Sequence, residues 1–209
     1  MRLLLTGFEP FGGEVMNPSA EVARAIASEP PPGIEATPLI LAVRGGVGLE
    51  VLAPAFEAGG YDAWLGLGQA GARTALSVER VGINVLIDRD ETTAAVQERA
   101  IVKGGPAAYF SQFPVHDLAQ HIADTGVPAV VSNTAGTYIC NEVTYAMQHH
   151  LAGRGLHRLS GFIHLPYTPE QVAERPGMPS MALDAQVAGV RAAVEFIRDL
   201  VADRAASSR

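Results

Sequence analysis

The chain has 209 residues, 48% of them apolar and 18% charged, which suits one domain and leaves too little apolar material for two separate cores. Its formal charge of −7, with Lys and Arg scattered along the chain, lacks the basic stripe of a nucleic-acid or membrane-surface binder. The one cysteine, Cys140, excludes an internal disulfide and a cysteine-based zinc site, so it is either a buried apolar residue or a reactive thiol.

The opening MRLLLTGFEPFGG is interrupted at Glu9 and Pro10 too soon for a signal peptide, and no apolar run approaches the ~18 residues of a membrane span, so the expected compartment is the cytoplasm. Arg2 to Thr6 reads as a first strand. After a Gly-rich loop through Gly13, Asn17-Pro18-Ser19 reads as a helix start. Asn17 is the N-cap, and Pro18 takes the first helical position, where a missing N–H costs nothing; the helix runs to about Ser28. Further strands are expected at Ile34 to Val43, Ala63 to Leu67, Val81 to Ile87, Ala129 to Ser132 and Leu159 to Leu165. Helices are expected at Val47 to Ala58, Val115 to Thr125, Tyr138 to Leu151 and Ala182 to Val201. In the last of these, Leu183, Val187, Val190, Val194, Ile197 and Val201 form one apolar stripe. Asp88 to Gly104 reads as a long loop, and a flexible tail is expected from about Ala202. The alternation predicts a single-domain α/β fold: an open twisted, largely parallel sheet with helices on both faces.

In such a sheet ligands sit beyond the carboxyl ends of the strands. TGFEPFGG, GLGQAGART, SNTAGTYICN and HLPY all follow expected strands. Cys140 comes after a small, polar run and opens a helical pattern. The unpaired N–H groups and the dipole of a helix start favour a thiolate there, and the same groups could hold an oxyanion. A cysteine nucleophile needs a base within hydrogen-bond reach. His149 and His150 lie on the same helix, roughly 13 Å or more away along its axis. His116 and His121 fall on another amphipathic helix and His157 in a polar turn, whereas His164 ends an apolar strand just before Pro166. A third group should orient the imidazole. Glu9, Glu79, Asp88 and Asp90 are candidates; Glu79, in SVERVGIN, has apolar neighbours that draw it inward, but an ion pair with Arg73 or Arg80 is an equal reading. There is no HExxH pair, and TGFEPFGG is neither a dinucleotide fingerprint nor a P-loop, so neither a metal nor a nucleotide site is expected.

Five segments together carry a resemblance: LLLTGFEPFGGEVMNPS (3 to 19), GLGQAGARTALSVERVGIN (66 to 84), IVKGGPAAYFSQFPV (101 to 115), SNTAGTYICNEVTYAM (132 to 147) and GFIHLPYTPEQV (161 to 172). The sequence resembles the pyroglutamyl peptidase I, or pyrrolidone-carboxylate peptidase, family along nearly its whole length. The resemblance implies a cofactor-free cysteine peptidase that removes N-terminal pyroglutamate from peptides and forms homo-oligomers. It assigns the catalytic Cys, His and Glu to Cys140, His164 and Glu79. Phe8 and Phe11 match aromatic residues associated with the pyroglutamyl ring, Asn17 and Gln69 match polar residues of the substrate region, and Arg89 matches an arginine beside the catalytic group. The stretch from Val85 to Ala100 and the loop from Leu41 to Gly48 depart from the family pattern, which leaves the outer wall of the pocket open. Two other readings are a related cysteine amidase acting on another lactam or acyl-amide and a catalytically silent binding homologue. The intact Cys140, His164 and Glu79 argue against silence.

Overall fold

The computed structural model describes residues 1–89, 96–156 and 158–207, the side chain of Arg89 excepted. Six strands form the main sheet, in the order β2 (Glu35–Leu41), β1 (Arg2–Phe8), β3 (Ala63–Gln69), β10 (Leu159–Leu165), β4 (Leu76–Glu79) and β9 (Ala129–Ser132). The first four run parallel. β4 runs antiparallel to β10, and β9 runs parallel to β4, so the sheet is mixed at one side and open at both edges.

Period-two alternation sorts the sheet into two faces. Leu3, Leu5, Leu65, Leu67, Leu76, Val78, Ile163 and Leu165 pack on one face with α1 (Pro18–Ser28), α3 (Val115–Asp124) and α5 (Leu183–Ser207). On the other face Leu4, Phe8, Trp64 and Phe162 pack with α2 (Ala53–Gly59) and α4 (Ile139–Gly153). Helices therefore cover both faces of a single core-bearing domain. The stripe on α5 packs as the spacing predicts, with Val190, Val194 and Ile197 fully buried. Among the described residues no helix is long and apolar enough to cross a membrane.

The start of α1 is as expected: Asn17 Oδ1 accepts from Ser19 N–H at 3.1 Å and Pro18 opens the helix. Four expectations are corrected. Val81 to Ile87 is not one strand. β5 (Val81–Ile83) pairs with β8 (Ala108–Phe110), β6 (Leu86–Arg89) pairs with β7 (Val96–Arg99), and the strand that enters the main sheet is the preceding β4. The expected loop from Asp88 to Gly104 thus contains half of a hairpin, while Asp90 lies outside the described residues. The expected helix from Val47 begins with a π-helical turn, Gly48–Leu52, before α2. Finally, α5 continues six residues past Val201, through Asp203 and Ser207 as well as three alanines and Arg204, whose good helix propensity extends the helix beyond its apolar stripe.

Candidate active site

The placement of Glu79 follows from the antiparallel β4–β10 ladder. Ser77 is paired with His164 and Glu79 with Phe162, so Glu79 and His164 are diagonal neighbours on one face of the sheet. His164 Nδ1 and Glu79 Oε1 are 2.7 Å apart, with His164 4% exposed and Glu79 fully buried. The same carboxylate oxygen lies 3.0 Å from Arg73 Nη2. The two readings of Glu79, imidazole partner or ion-pair partner, are thus both present on one atom. Arg80 turns away and meets His116 Nε2 at 2.8 Å. Arg73 is brought round by a tight turn in which Ala72 has φ 62°, a left-handed conformation that costs a non-glycine residue ~1–2 kcal/mol.

Cys140 is the second residue of α4 and is half-buried. β9 delivers its carboxyl end level with Phe162, because Ser132 pairs with Glu79 and Glu79 with Phe162. The run 133–138 then carries the chain back so that α4 starts beside His164. Gly68 makes this approach possible. It is paired with His164 in the β3–β10 ladder, and a Cβ there would lie 2.8 Å from Cys140 Sγ. Glycines two apart in a strand, as at Gly66 and Gly68, signal a close approach by another group. Asn141, the next residue, is fully buried. It donates to Ile83 and Val85 carbonyls at 2.9 and 2.8 Å and accepts from Ile83 N–H at 2.9 Å, which ties the start of α4 to the β5–β6 segment.

Burial opposes a charged imidazole at His164. The charge on Cys140, hydrogen bonds with Cys140 and Glu79, and the Glu79 charge outweigh it, so the pKa is pushed up from 6.5 to about 9. The imidazole is therefore a proton donor at neutral pH, held at Nδ1 by a carboxylate and facing the sulfur of Cys140. The other histidines have different partners: His149 meets the Tyr109 hydroxyl at 2.9 Å, His150 meets Arg154 at 3.1 Å, and the ring of His121 packs against that of Phe196. His157 lies outside the described residues.

A cavity of about 630 Å³ opens over Cys140 and His164, with Phe8, Phe11, Gln69 and Tyr167 among its walls. Phe8 is buried and Phe11 is 41% exposed at the mouth. Val43 and Asp88 place both divergent segments on the outer wall. Asn17 is not among the residues that line the cavity: its carboxamide caps α1 and donates to Glu9 C=O at 3.1 Å, which ties it to the loop that carries Phe11. The side chain of Arg89 lies outside the described residues. The backbone N–H groups of 69–71, at the end of β3, stand beside those at the start of α4 as oxyanion candidates; of these, Ala70 N–H already donates to Leu165 C=O at 2.9 Å.

An open α/β sheet with a cysteine at a helix start, a buried histidine beside it and a carboxylate behind the histidine has the layout of a thiol hydrolase. The pyroglutamyl peptidase family model matches residues 1–199. A pyrrolidone-carboxylate peptidase of Ralstonia nicotianae is 44% identical over 92% of this chain and 91% of its own, and one of Streptomyces coelicolor is 46% identical over 85% and 84%. The crystal structure of a mutant pyrrolidone carboxyl peptidase from Pyrococcus furiosus superimposes with a TM-score of 0.88 at 35% identity, covering 95% of this chain and 99% of that one. The chain belongs to the pyroglutamyl peptidase family.

Proposed function

We propose that this protein is a cysteine exopeptidase that hydrolyses the bond after an N-terminal pyroglutamyl residue through a thioester. The observation that carries the reading is the continuous set Cys140, His164 and Glu79 beneath a cavity walled by Phe8 and Phe11, in a chain of this family. Cys140 Sγ, as thiolate, attacks the pyroglutamyl carbonyl, and backbone N–H groups at the start of α4 or at Gly71 receive the oxyanion. As the C–N bond breaks, His164 gives its proton to the departing amine. The neutral imidazole then takes a proton from water, the hydroxide attacks the thioester, and pyroglutamate leaves as the thiolate reforms. Glu79 holds the ring by Nδ1 and favours its protonated form, and Arg73 holds Glu79.

The flat, uncharged lactam suits a slot between Phe8 and Phe11, whereas a prolyl or glutaminyl terminus would bring an ammonium into it. No cofactor takes part in this chemistry. The enzyme works in the cytoplasm, where a lone thiol stays reduced, and it assembles as a homo-oligomer, as the family resemblance implies. The test is hydrolysis of pyroglutamyl, prolyl and glutaminyl amides bearing one chromogenic leaving group. The expected preference for pyroglutamyl is roughly 10⁴ in kcat/KM, with a marked loss on Phe11→Ala. Comparable values for the prolyl and pyroglutamyl amides would refute the lactam slot.

A further inference from the structure

The chain beyond β10 forms a strap over the cavity rim that the reaction above does not use. Gln171 sits in its 3-10 turn, Glu170–Val172, and reaches two other segments, the end of β3 and the loop between β1 and α1. Its Nε2 donates to Gln69 Oε1 at 2.8 Å, to Glu14 Oε2 at 3.2 Å and to Met16 C=O at 3.4 Å, while its Oε1 accepts from Thr168 N–H at 3.0 Å. Glu14 is held in turn by Arg175 Nη2 at 2.5 Å.

These partners fix the direction of two amides. A backbone N–H only donates, so the end of Gln171 facing Thr168 is its oxygen. A backbone carbonyl and a carboxylate accept, so the end facing Met16 and Glu14 is its NH2 group. The atom that Gln69 turns toward Gln171 must then be an acceptor, Oε1. Nε2 is left as the free end of a carboxamide that belongs to the cavity wall. Shape alone would leave the amide free to take either orientation.

We propose that Gln171 is a specificity-positioning residue, which locks Gln69 so that the cavity offers an amide N–H, and not an amide oxygen, to the ring carbonyl of the lactam. The proposal rests on the pyroglutamyl reading of the site. The lactam C=O is what separates a pyroglutamyl ring from a prolyl ring of the same size, and an amide free to rotate would meet it with its oxygen part of the time. The lactam carbonyl takes no part in the bond changes at the scissile carbonyl, so the effect belongs to binding and should raise KM more than it lowers kcat.

The test is a double-mutant cycle on a chromogenic pyroglutamyl amide at about pH 8, where a glutamate is ionised. It compares the wild type with Gln171→Met, Gln69→Ala, the double variant and Gln171→Glu, and iodoacetamide alkylation of Cys140 reports on the reacting thiol. Gln171→Met is expected to lower kcat/KM about tenfold, mostly through KM, with an unchanged alkylation rate. In the Gln69→Ala background the same change should cost less than roughly twofold, because Gln171 acts through Gln69. Gln171→Glu keeps the size, reverses the polarity, draws Gln69 Nε2 away from the cavity and should lose at least as much. An unchanged KM in Gln171→Met, or losses that multiply in the double variant, would overturn the positioning role. Should the methionine variant fail to fold, wild-type KM in Gln171→Glu would overturn it equally. Wild-type enzyme inactive on the pyroglutamyl amide would instead remove the proposed function, and the positioning role with it.

Discussion

Two glutamates are buried in this protein to almost the same degree, Glu79 at 0% and Glu142 at 1% exposure, and their surroundings differ. Glu79 faces two cationic side chains, His164 and Arg73, both on one oxygen. Glu142, in the first turn of α4, accepts the N–H of Gly48 at 3.2 Å to each oxygen and no other hydrogen bond among the described residues. Burial pushes its pKa up to about 7. The Gly48 hydrogen bond and Arg99 oppose this, Glu50 adds to it, and Arg44 opposes it weakly. One carboxylate is thus held where charge can be exchanged with a reacting imidazole. The other fastens the π-helical turn Gly48–Leu52 against α4, so closely that a Cβ at Gly48 would lie 2.7 Å from Ala146 Cβ. Burial alone does not mark a catalytic carboxylate; its partners do.

This contrast orders the expected effects of substitution. The largest falls on the partner that Glu79 serves. His164→Ala should lower kcat/KM roughly 10³-fold or more while the protein still melts cooperatively, and retention of a tenth of the activity would detach Glu79 from the reaction. Gly68→Ala should follow at roughly 100-fold, since a methyl group placed 2.8 Å from Cys140 Sγ must displace the thiol from the imidazole. Its far-ultraviolet circular dichroism should stay that of the wild type.

Glu79→Gln should cost about tenfold and should also move the pH profile. The Glu79 hydrogen bond and charge both raise the pKa of His164, so their weakening lowers it, and the imidazolium is lost at lower pH. The alkaline limb of kcat/KM, expected near the His164 value of about 9, should shift downward. A limb that stays in place would contradict the role given to Glu79.

Glu142→Gln is expected to change kcat/KM by less than about twofold and to act on stability. In the wild type the native state holds this proton up to about pH 7, whereas the unfolded chain releases it near 4.5. Wild-type stability from this group is therefore complete below about 4.5 and is lost as pH rises through about 7. The glutamine variant escapes that loss, so its melting temperature should exceed that of the wild type at about pH 8 and the gain should vanish near pH 4.5. Thermal melts at the two pH values decide the matter.

The sequence reveals these two glutamates unequally. Cys140 and His164 are legible because each ends a local pattern, a loop at a helix start and an apolar strand before a proline. The position of Glu79 depends on β4, whose four residues, LSVE, alternate too briefly to stand out beside the longer apolar run VGINVLI. That run is broken by partners distant in sequence: the side chain of Asn84 bonds to Val102 N–H and C=O, and Asn141 occupies the backbone of Ile83 and Val85. Glu142 carries no local sign of its role, because its partner Gly48 lies 94 residues away. The reversal of β4 and β9 is likewise set by pairing across the sheet, and periodicity within a strand does not encode its direction.

The most direct test of covalent catalysis at Cys140 is mass spectrometry of the enzyme quenched in acid during turnover of a pyroglutamyl ester, whose good leaving group lets the acyl-enzyme accumulate. A pyroglutamyl adduct is expected on the peptide that contains Cys140 and is absent from Cys140→Ala, which should also show no turnover. Turnover with no adduct at any quench time, together with continued hydrolysis by Cys140→Ala, would contradict covalent catalysis at Cys140.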